Sequence, residues 1–260
     1  MKTAITNKKY WLVFVLIIAI FIFAGRFLNK SPADSHIGGV ENIDYERLKT
    51  LTAKYNIHGT RYDVPLGYLR VASIKYGYWP TPKESYLKTT VFSFQAALPD
   101  IQPYSEATRD KFEKKKGHGD IVDILVEPLL EPHKRSYREY LNIVAEHRIG
   151  ASNVALGLTH FVDSSESPPE YWKDIYADET LVGTSKLLIV CNRHRPYETY
   201  YPSCRVSYYK EKDPFIPGVY LRYTYSLSHI KNWKKINNKV ALTVSGFITN
   251  PMEGAIDERR

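Results

Sequence analysis

An apolar segment near the N-terminus constrains this chain more than any other feature. From Tyr10 to Leu28 the sequence reads YWLVFVLIIAIFIFAGRFL, which is 19 residues with Arg26 as the only charge. A helix that rises ~1.5 Å per residue would cover about 28 Å over this length, close to the hydrocarbon thickness of a bilayer. We therefore expect residues 1–30 to form a cytoplasmic tip and a transmembrane anchor.

The same segment has a second interpretation, as a signal peptide that is removed. Cleavage requires small residues one and three positions before the cut. The best candidate cut, after Ala24, places Ile22 at the outer of these two positions. The sequence thus favours a retained anchor, with cleavage as the alternative.

Basic residues ahead of the segment predict its orientation. Lys2, Lys8 and Lys9 precede it, and a short basic flank usually stays in the cytoplasm. The rest of the chain is then expected on the other side of a bacterial inner membrane, in the periplasm. The predicted localisation is a single-pass inner-membrane protein whose main domain lies in that oxidising compartment.

The high net charge of the chain comes largely from its N-terminus. The chain has 36 Lys and Arg against 28 Asp and Glu, and residues 1–30 hold five basic and no acidic residues, so 36 minus 5 leaves 31 against 28. An excess this small does not indicate a nucleic-acid partner. We expect none.

Composition and periodicity divide the remaining sequence. The small, polar stretch SPADSHIGGV predicts a linker over residues 31–43. A folded domain is expected over residues 44–250, followed by a flexible tail at 251–260. Within the domain, apolar spacing in DYERLKTLTAKYN predicts a helix over 44–56, and period-two alternation in YLRVASIKYGYW predicts a strand over 68–79.

The order of predicted elements indicates the fold class. Strands are followed by a helix in residues 44–150, and the same order recurs in residues 151–250. Further strand-like segments occur at 87–98, 119–130, 153–163, 184–192, 204–210 and 218–228, and helical stripes at 134–149 and 229–248. We expect an α+β fold with antiparallel sheets and a few packing helices, and the recurrence suggests two similar halves.

Two cysteines are present in the chain, Cys191 and Cys204. The first ends one predicted strand and the second begins the next. In an oxidising compartment this placement predicts a disulfide bond that closes the base of a long hairpin loop. Free or metal-bound thiols are the alternative. We expect no metal and no cofactor.

The loop between the cysteines is rich in residues that dominate protein interfaces. It reads NRHRPYETYYPS, and Arg and Tyr are enriched among interface hot spots. The sequence therefore predicts contact with another protein through Arg193, Arg195, Tyr197, Tyr200 and Tyr201. In the alternative interpretation the tyrosines pack back onto the sheet.

Motifs for catalysis are absent from the sequence. It contains no nucleophile elbow, no helical zinc motif and no glycine-rich phosphate loop. His118 and Asp120, in the segment GHGD, are a candidate catalytic pair, but a glycine-containing turn explains the same segment. We expect a binding protein rather than an enzyme. A membrane-tethered periplasmic hydrolase with dispersed catalytic residues and a structural subunit of an envelope assembly are the alternatives.

Residues 180–248 carry a resemblance to a known group of proteins. They combine a strand ending in cysteine, the motif YPSC, the strand VYLRYTYS and the helix HIKNWKKINNKVALTVSGF with its tryptophan. This arrangement resembles membrane-anchored periplasmic immunity proteins associated with type VI secretion effectors, and YDVPLGYLR and VFSFQAALPD are weaker echoes upstream. The resemblance implies a partner, a cognate effector toxin that the protein binds and blocks. An anchored inhibitor suits a membrane-active or lipase-like toxin. The resemblance assigns no contact residues.

Overall fold

A computed structural model describes most of the predicted domain. The described residues are 43–76, 85–113, 116–130, 132–133, 155–163, 169–178, 185–195, 201–210 and 216–250. The predicted anchor, residues 31–42 of the linker, the predicted helix 134–149 and the tail lie outside them. The chain divides into two units, 1–42 and 43–260, and all the described residues belong to the second.

The described ranges contain four α-helices, eleven strands and three short 3₁₀ helices. The α-helices are α1 (Tyr45–Thr50), α2 (Val71–Tyr76), α3 (Arg109–Glu113) and α4 (Trp233–Phe247). The strands are β1 (Thr52–Ile57), β2 (Thr60–Pro65), β3 (Leu87–Lys88), β4 (Phe92–Ala97), β5 (Ile121–Pro128), β6 (Thr159–Asp163), β7 (Lys173–Ala177), β8 (Ser185–Asn192), β9 (Ser203–Lys210), β10 (Val219–Ser226) and β11 (Ile248–Asn250). The 3₁₀ helices are Leu66–Tyr68, Pro169–Tyr171 and Leu227–Asn232.

The strands form two sheets. A four-stranded sheet has the order β11-β2-β1-β3, and a seven-stranded sheet has the order β4-β5-β10-β9-β8-β7-β6. All pairings in the large sheet are antiparallel, and the short contact of β1 with β3 is parallel. The predicted α+β class with antiparallel sheets and a few helices is confirmed for the described part of the chain.

The predicted helix over 44–56 is wrong in its second half. Asp44 caps α1 by accepting hydrogen bonds from the backbone N–H groups of Glu46 and Arg47, and the helix ends at Thr50. The next residues form β1, in which burial alternates. They form a strand because a tight turn at His58 and Gly59, both with positive φ, brings β2 alongside. Pairing with β2 therefore overrides the short helical spacing.

The predicted strand over 68–79 is also wrong, since residues 71–76 form α2. The backbone N–H of Val71, at the start of this helix, donates a 3.3 Å hydrogen bond to Oε1 of Gln95 on β4. The helix buries Ile74, which is 4% exposed. A contact with a residue 24 positions away thus supports the helix start, and local periodicity does not contain that information.

Helix α4 packs against the inner face of the large sheet, as its apolar stripe predicts. Val240 and Val244 are fully buried, whereas Leu242 points to solvent with 55% exposure. Inside the core, the Tyr223 hydroxyl on β10 donates a 2.8 Å hydrogen bond to Oδ1 of Asn237. The buried polar groups of the helix and the sheet therefore satisfy each other.

A second, smaller apolar cluster lies on the outer face of the large sheet. It contains Phe161, Ile175, Ala177 and Leu188, with Val190 packed against it. Neighbouring residues of β8, Leu187 and Ile189, belong to the main core on the opposite face. Strand β8 is therefore apolar on both faces.

Strands from residues 44–150 and from 151–250 share the seven-stranded sheet. Strand β10, the third in the sheet order, pairs with β5 from the first range and with β9 from the second. The similarity of two halves stays a prediction. Among the described residues no helix has the length and hydropathy of a membrane span, and the predicted anchor lies outside those residues.

Candidate functional site

The predicted disulfide bond is confirmed. Cys191 on β8 stands directly opposite Cys204 on β9, and their sulfur atoms are bonded. The two residues are 1% and 0% exposed. The bond therefore joins the two strands at the base of the predicted loop, within the protein core.

Arg193, the second residue after Cys191, is bound within the protein. Its Nε and Nη2 atoms donate hydrogen bonds of 3.0 and 2.8 Å to the two carboxylate oxygens of Asp174 on β7. Such a two-point contact fixes the plane of the guanidinium as well as its position. Arg193 thus links the loop to the neighbouring strand.

Asp174 is the centre of this cluster. His160 on β6 lies 3.0 Å from the same carboxylate, measured from its Nε2 atom. The His160 ring also stacks on Tyr176, at 4.7 Å between ring centroids, and the Arg193 guanidinium lies 5.5 Å from the Trp172 ring. One half-buried carboxylate therefore connects β6 and β7 with the loop that follows β8.

The environment of Asp174 favours its charged form. Burial alone would raise the pKa of this carboxyl, but the hydrogen bonds from Arg193 and His160 outweigh burial and lower the pKa below its ordinary value. The hydrogen bond to Asp174 raises the pKa of Arg193 in turn. Each group therefore stabilises the charge of the other.

Arg195 also folds back onto the protein. Its guanidinium lies 4.2 Å from the centre of the Tyr171 ring, close enough for a cation–π interaction. Its Nε atom is buried. Of the predicted contact residues, both arginines therefore interact with aromatic residues between β6 and β7.

Tyr201 is the most exposed of the predicted contact residues that the structure describes, at 42%. It lies over the turn that precedes β5, because a Cβ atom added to Gly117 would come within 2.4 Å of the Tyr201 Cβ. Gly117 also has a φ of +58°, which favours glycine. Tyr197 and Tyr200 lie outside the described residues.

The structure does not bring His118 and Asp120 together as a pair. The Nδ1 atom of His118 lies 3.2 Å from Asp123, and Asp120 lies 2.9 Å from Nε2 of His229. His229 is 109 positions away, so sequence spacing did not reveal it. In the described part of the chain, no group of three or more His, Cys, Asp or Glu side chains is placed to hold a metal ion.

Sequence reasoning missed the partner of Arg193 because it missed β7. The segment Lys173–Ala177 is only five residues long. Its alternation was readable, since Ile175 and Ala177 face one side of the sheet, and Asp174 and Tyr176 face the other. An acidic residue on the inner face of a strand was the signal for a basic partner nearby.

Comparisons with known proteins show the fold. No protein-family model matches the sequence, and no curated protein matches it. The structure is similar to the crystal structure of FrpD, an iron-regulated outer membrane lipoprotein of Neisseria meningitidis. The TM-score is 0.54 and the identity 16%, over 78% of this chain and 95% of that chain.

A second similar structure is Smlt3025, an immunity protein of the type IV secretion system of Stenotrophomonas maltophilia. The TM-score is 0.51 and the identity 12%, over 77% of this chain and 94% of that chain. At these identities the likeness concerns the fold. The domain described here is thus similar in fold to an immunity protein of a secretion system and to an outer membrane lipoprotein.

Proposed function

We propose that this protein is an immunity protein, which binds a cognate secreted toxin and neutralises it by direct protein–protein inhibition. The observation that carries the proposal is the fold, which is similar to that of the immunity protein Smlt3025 over most of both chains. Inhibition of this kind needs a complementary surface with a few strongly bound side chains and no catalytic turnover.

The compartment is part of the proposal. Residues 10–28 have the length and apolarity of a membrane span, and the buried disulfide suits an oxidising compartment. We therefore place the domain in the periplasm, anchored to the inner membrane by its N-terminus. There it would meet a membrane-active or lipase-like toxin at the membrane surface.

The delivery route is proposed from the sequence. The arrangement of residues 180–248 resembles proteins encoded beside type VI effectors, whereas the similar structure belongs to a type IV system. The identity of the neighbouring genes distinguishes the two routes. Either route delivers a toxin that the anchored domain would intercept.

The disulfide-closed loop is the first candidate for the toxin-binding surface. Tyr201 is exposed at its C-terminal end, and Tyr197 and Tyr200 complete the predicted contact set with Arg193 and Arg195. Because both arginines are held by Asp174 and Tyr171, we expect Tyr201 to be the described residue whose change affects binding most directly.

The test is protection of cells from the product of the neighbouring gene. The full-length chain is co-expressed with that product directed to the periplasm, and cell survival is measured. We expect survival, together with a stable complex when the chain is purified in detergent. A chain of residues 1–42 alone is the control, and it should not protect. Cell death in the presence of the folded full-length chain would contradict the proposal.

A further inference from the structure

Two adjoining grooves run across the outer face of the seven-stranded sheet. Their volumes are about 640 and 310 Å³, and they share Arg205, Arg222 and Thr224. Residues of all seven strands line one groove or the other. Seven strands are separated by six spacings of ~4.8 Å, so a path across the whole sheet is about 29 Å long. An extended peptide of about nine residues has that length.

The acidic side chains in and beside these grooves are matched by neighbours. Asp123 lies against Gln95 and His118, Glu127 against Arg222, and Asp163 opposite Lys173 in the strand register. Arg222 cancels the charge of Glu127, and Lys173 stands opposite Asp163, whereas the contact of Asp123 with Gln95 is with a neutral amide and cancels no charge. The positive charge that remains must come from other residues.

Arg205 and Arg70 supply that charge. Both are exposed, and among the described residues neither guanidinium takes part in an ion pair or a hydrogen bond. Arg205 lies opposite Thr224, and Arg222 lies opposite Ser207. Arg205 and Arg222 are therefore diagonal neighbours, roughly 7–8 Å apart. Arginine stays charged at any physiological pH. An anion bound here would therefore meet the charge of Arg205 beside Arg222, whose own charge is already matched by Glu127.

The grooves also have an apolar component. Leu188 and Val190 line the larger one, and the ring of His133 stacks on that of Tyr220 at 4.3 Å between centroids. Apolar contacts favour a peptide over a small inorganic ion, because they bury carbon atoms that such an ion lacks. The larger groove is also lined by Asn192, next to Cys191, so it begins at the foot of the disulfide-closed loop.

We propose that these grooves bind an extended, acidic segment of the partner protein, with Arg205 and Arg70 as carboxylate-binding residues. The identity of that partner as a toxin rests on the proposed function. In an extended segment every second side chain faces the sheet, so alternate Glu or Asp residues would meet the guanidiniums. Each guanidinium can form two parallel hydrogen bonds with one carboxylate.

A designed peptide tests the grooves without the toxin. The probe is a fluorescein-labelled nonapeptide of alternating Glu and Ser, and its binding to the full-length chain in detergent is measured by fluorescence polarisation. We expect binding that weakens as salt rises. Arg205→Gln should lower the affinity about tenfold, the loss typical of one charge-assisted hydrogen-bonding group. Adding Arg70→Gln to that variant should lower the peptide affinity further.

The chain offers a matched control. Arg47 on α1 is exposed and lines neither groove, so Arg47→Gln should leave peptide affinity unchanged. A nonapeptide of alternating Lys and Ser should not bind. Equal affinity of the Glu peptide for wild type and Arg205→Gln would overturn the proposal. So would failure of that peptide to bind while inorganic phosphate binds, since the grooves would then be a phosphate site.

Experiments with the toxin distinguish failure of the groove proposal from failure of the immunity proposal. If Arg205→Gln and Arg70→Gln bind the peptide weakly and also protect cells poorly, both proposals are supported. If the peptide binds through Arg205 but the neighbouring gene product never forms a complex, the immunity proposal fails and the grooves remain a site for acidic segments. If protection is complete and the peptide does not bind, only the groove proposal fails.

Discussion

Two arginines beside the same disulfide have opposite environments. Arg193 lies two positions after Cys191 and gives two hydrogen bonds to Asp174 on the inner side of the sheet edge. Arg205 follows Cys204 and lies on the outer face, exposed and in a groove. One guanidinium therefore stabilises the fold, while the other is available to a ligand.

The difference teaches that residue type and loop membership do not identify a binding residue. The loop was predicted to bind because it is rich in Arg and Tyr, yet its two arginines interact with Asp174 and Tyr171. Arg205 was never singled out, because it sits within a regular strand. The sheet face that a side chain occupies and the acidic groups that it meets determine its role.

Removal of the disulfide should have the largest effect, because both regions depend on it. We expect Cys191→Ala/Cys204→Ala to lower the free energy of unfolding by about 3 kcal/mol, from the entropy gained by the unfolded chain. Urea denaturation of the full-length chain in detergent measures it. Wild type in reducing agent is the control and should show the same loss. An unchanged denaturation midpoint would mean that β8 and β9 hold together without the bond.

Removal of Arg193 should have the next largest effect. Arg193→Ala leaves the half-buried Asp174 carboxylate without its main partner, which typically costs about 1–3 kcal/mol. Adding Asp174→Asn should recover part of that loss, since the uncompensated charge is then gone. The four proteins of this cycle are compared by urea denaturation. Independent, additive losses would show that the pair does not act as a unit.

Acid should weaken the Arg193 region through protonation of Asp174. Because the folded-state pKa of Asp174 is lowered, its contribution to stability is complete above the ordinary Asp value, about 3.9, and is lost as the pH falls through the lowered value. We expect the loss of stability between pH 6 and pH 3 to be smaller in Asp174→Asn than in wild type. Denaturation midpoints at the two pH values measure this loss. Arg205→Gln should follow wild type.

Removal of Arg205 should have the smallest effect on stability. Arg205→Gln changes an exposed side chain without a described partner, so we expect a change within about 0.5 kcal/mol. Thermal melts of Arg205→Gln and Arg193→Gln compare the two regions directly. A larger loss at residue 205 than at residue 193 would reverse the comparison and make the groove arginine a structural residue.

The long elements of the fold could be predicted from the sequence, and the tertiary contacts could not. Helix α4 and strands β8, β9 and β10 keep one period over eight residues or more, so their burial patterns are readable. Helix α2 begins where Gln95 accepts a hydrogen bond, and residues 52–57 form a strand because β2 pairs with it. These outcomes depend on neighbours that a local window does not contain.

The candidate sites divide in the same way. The disulfide was predictable, because both cysteines flank a loop between two strands with clear alternation. The Asp174 pair was missed because the short strand β7 was not recognised, although its alternation was readable. The grooves arise from side chains on seven strands, and their relative positions follow from the strand order.

The position of β10 between β5 and β9 has a kinetic consequence. The pair Arg222–Glu127 joins residues 95 positions apart, and β11 near the C-terminus pairs with β2. Such distant pairings close slowly, because chain entropy is lost before the contacts form. During synthesis from the N-terminus, β2 and β5 each lack a neighbouring strand until residues 219–250 are available. The nascent chain therefore exposes aggregation-prone strand edges until residues 219–250 emerge.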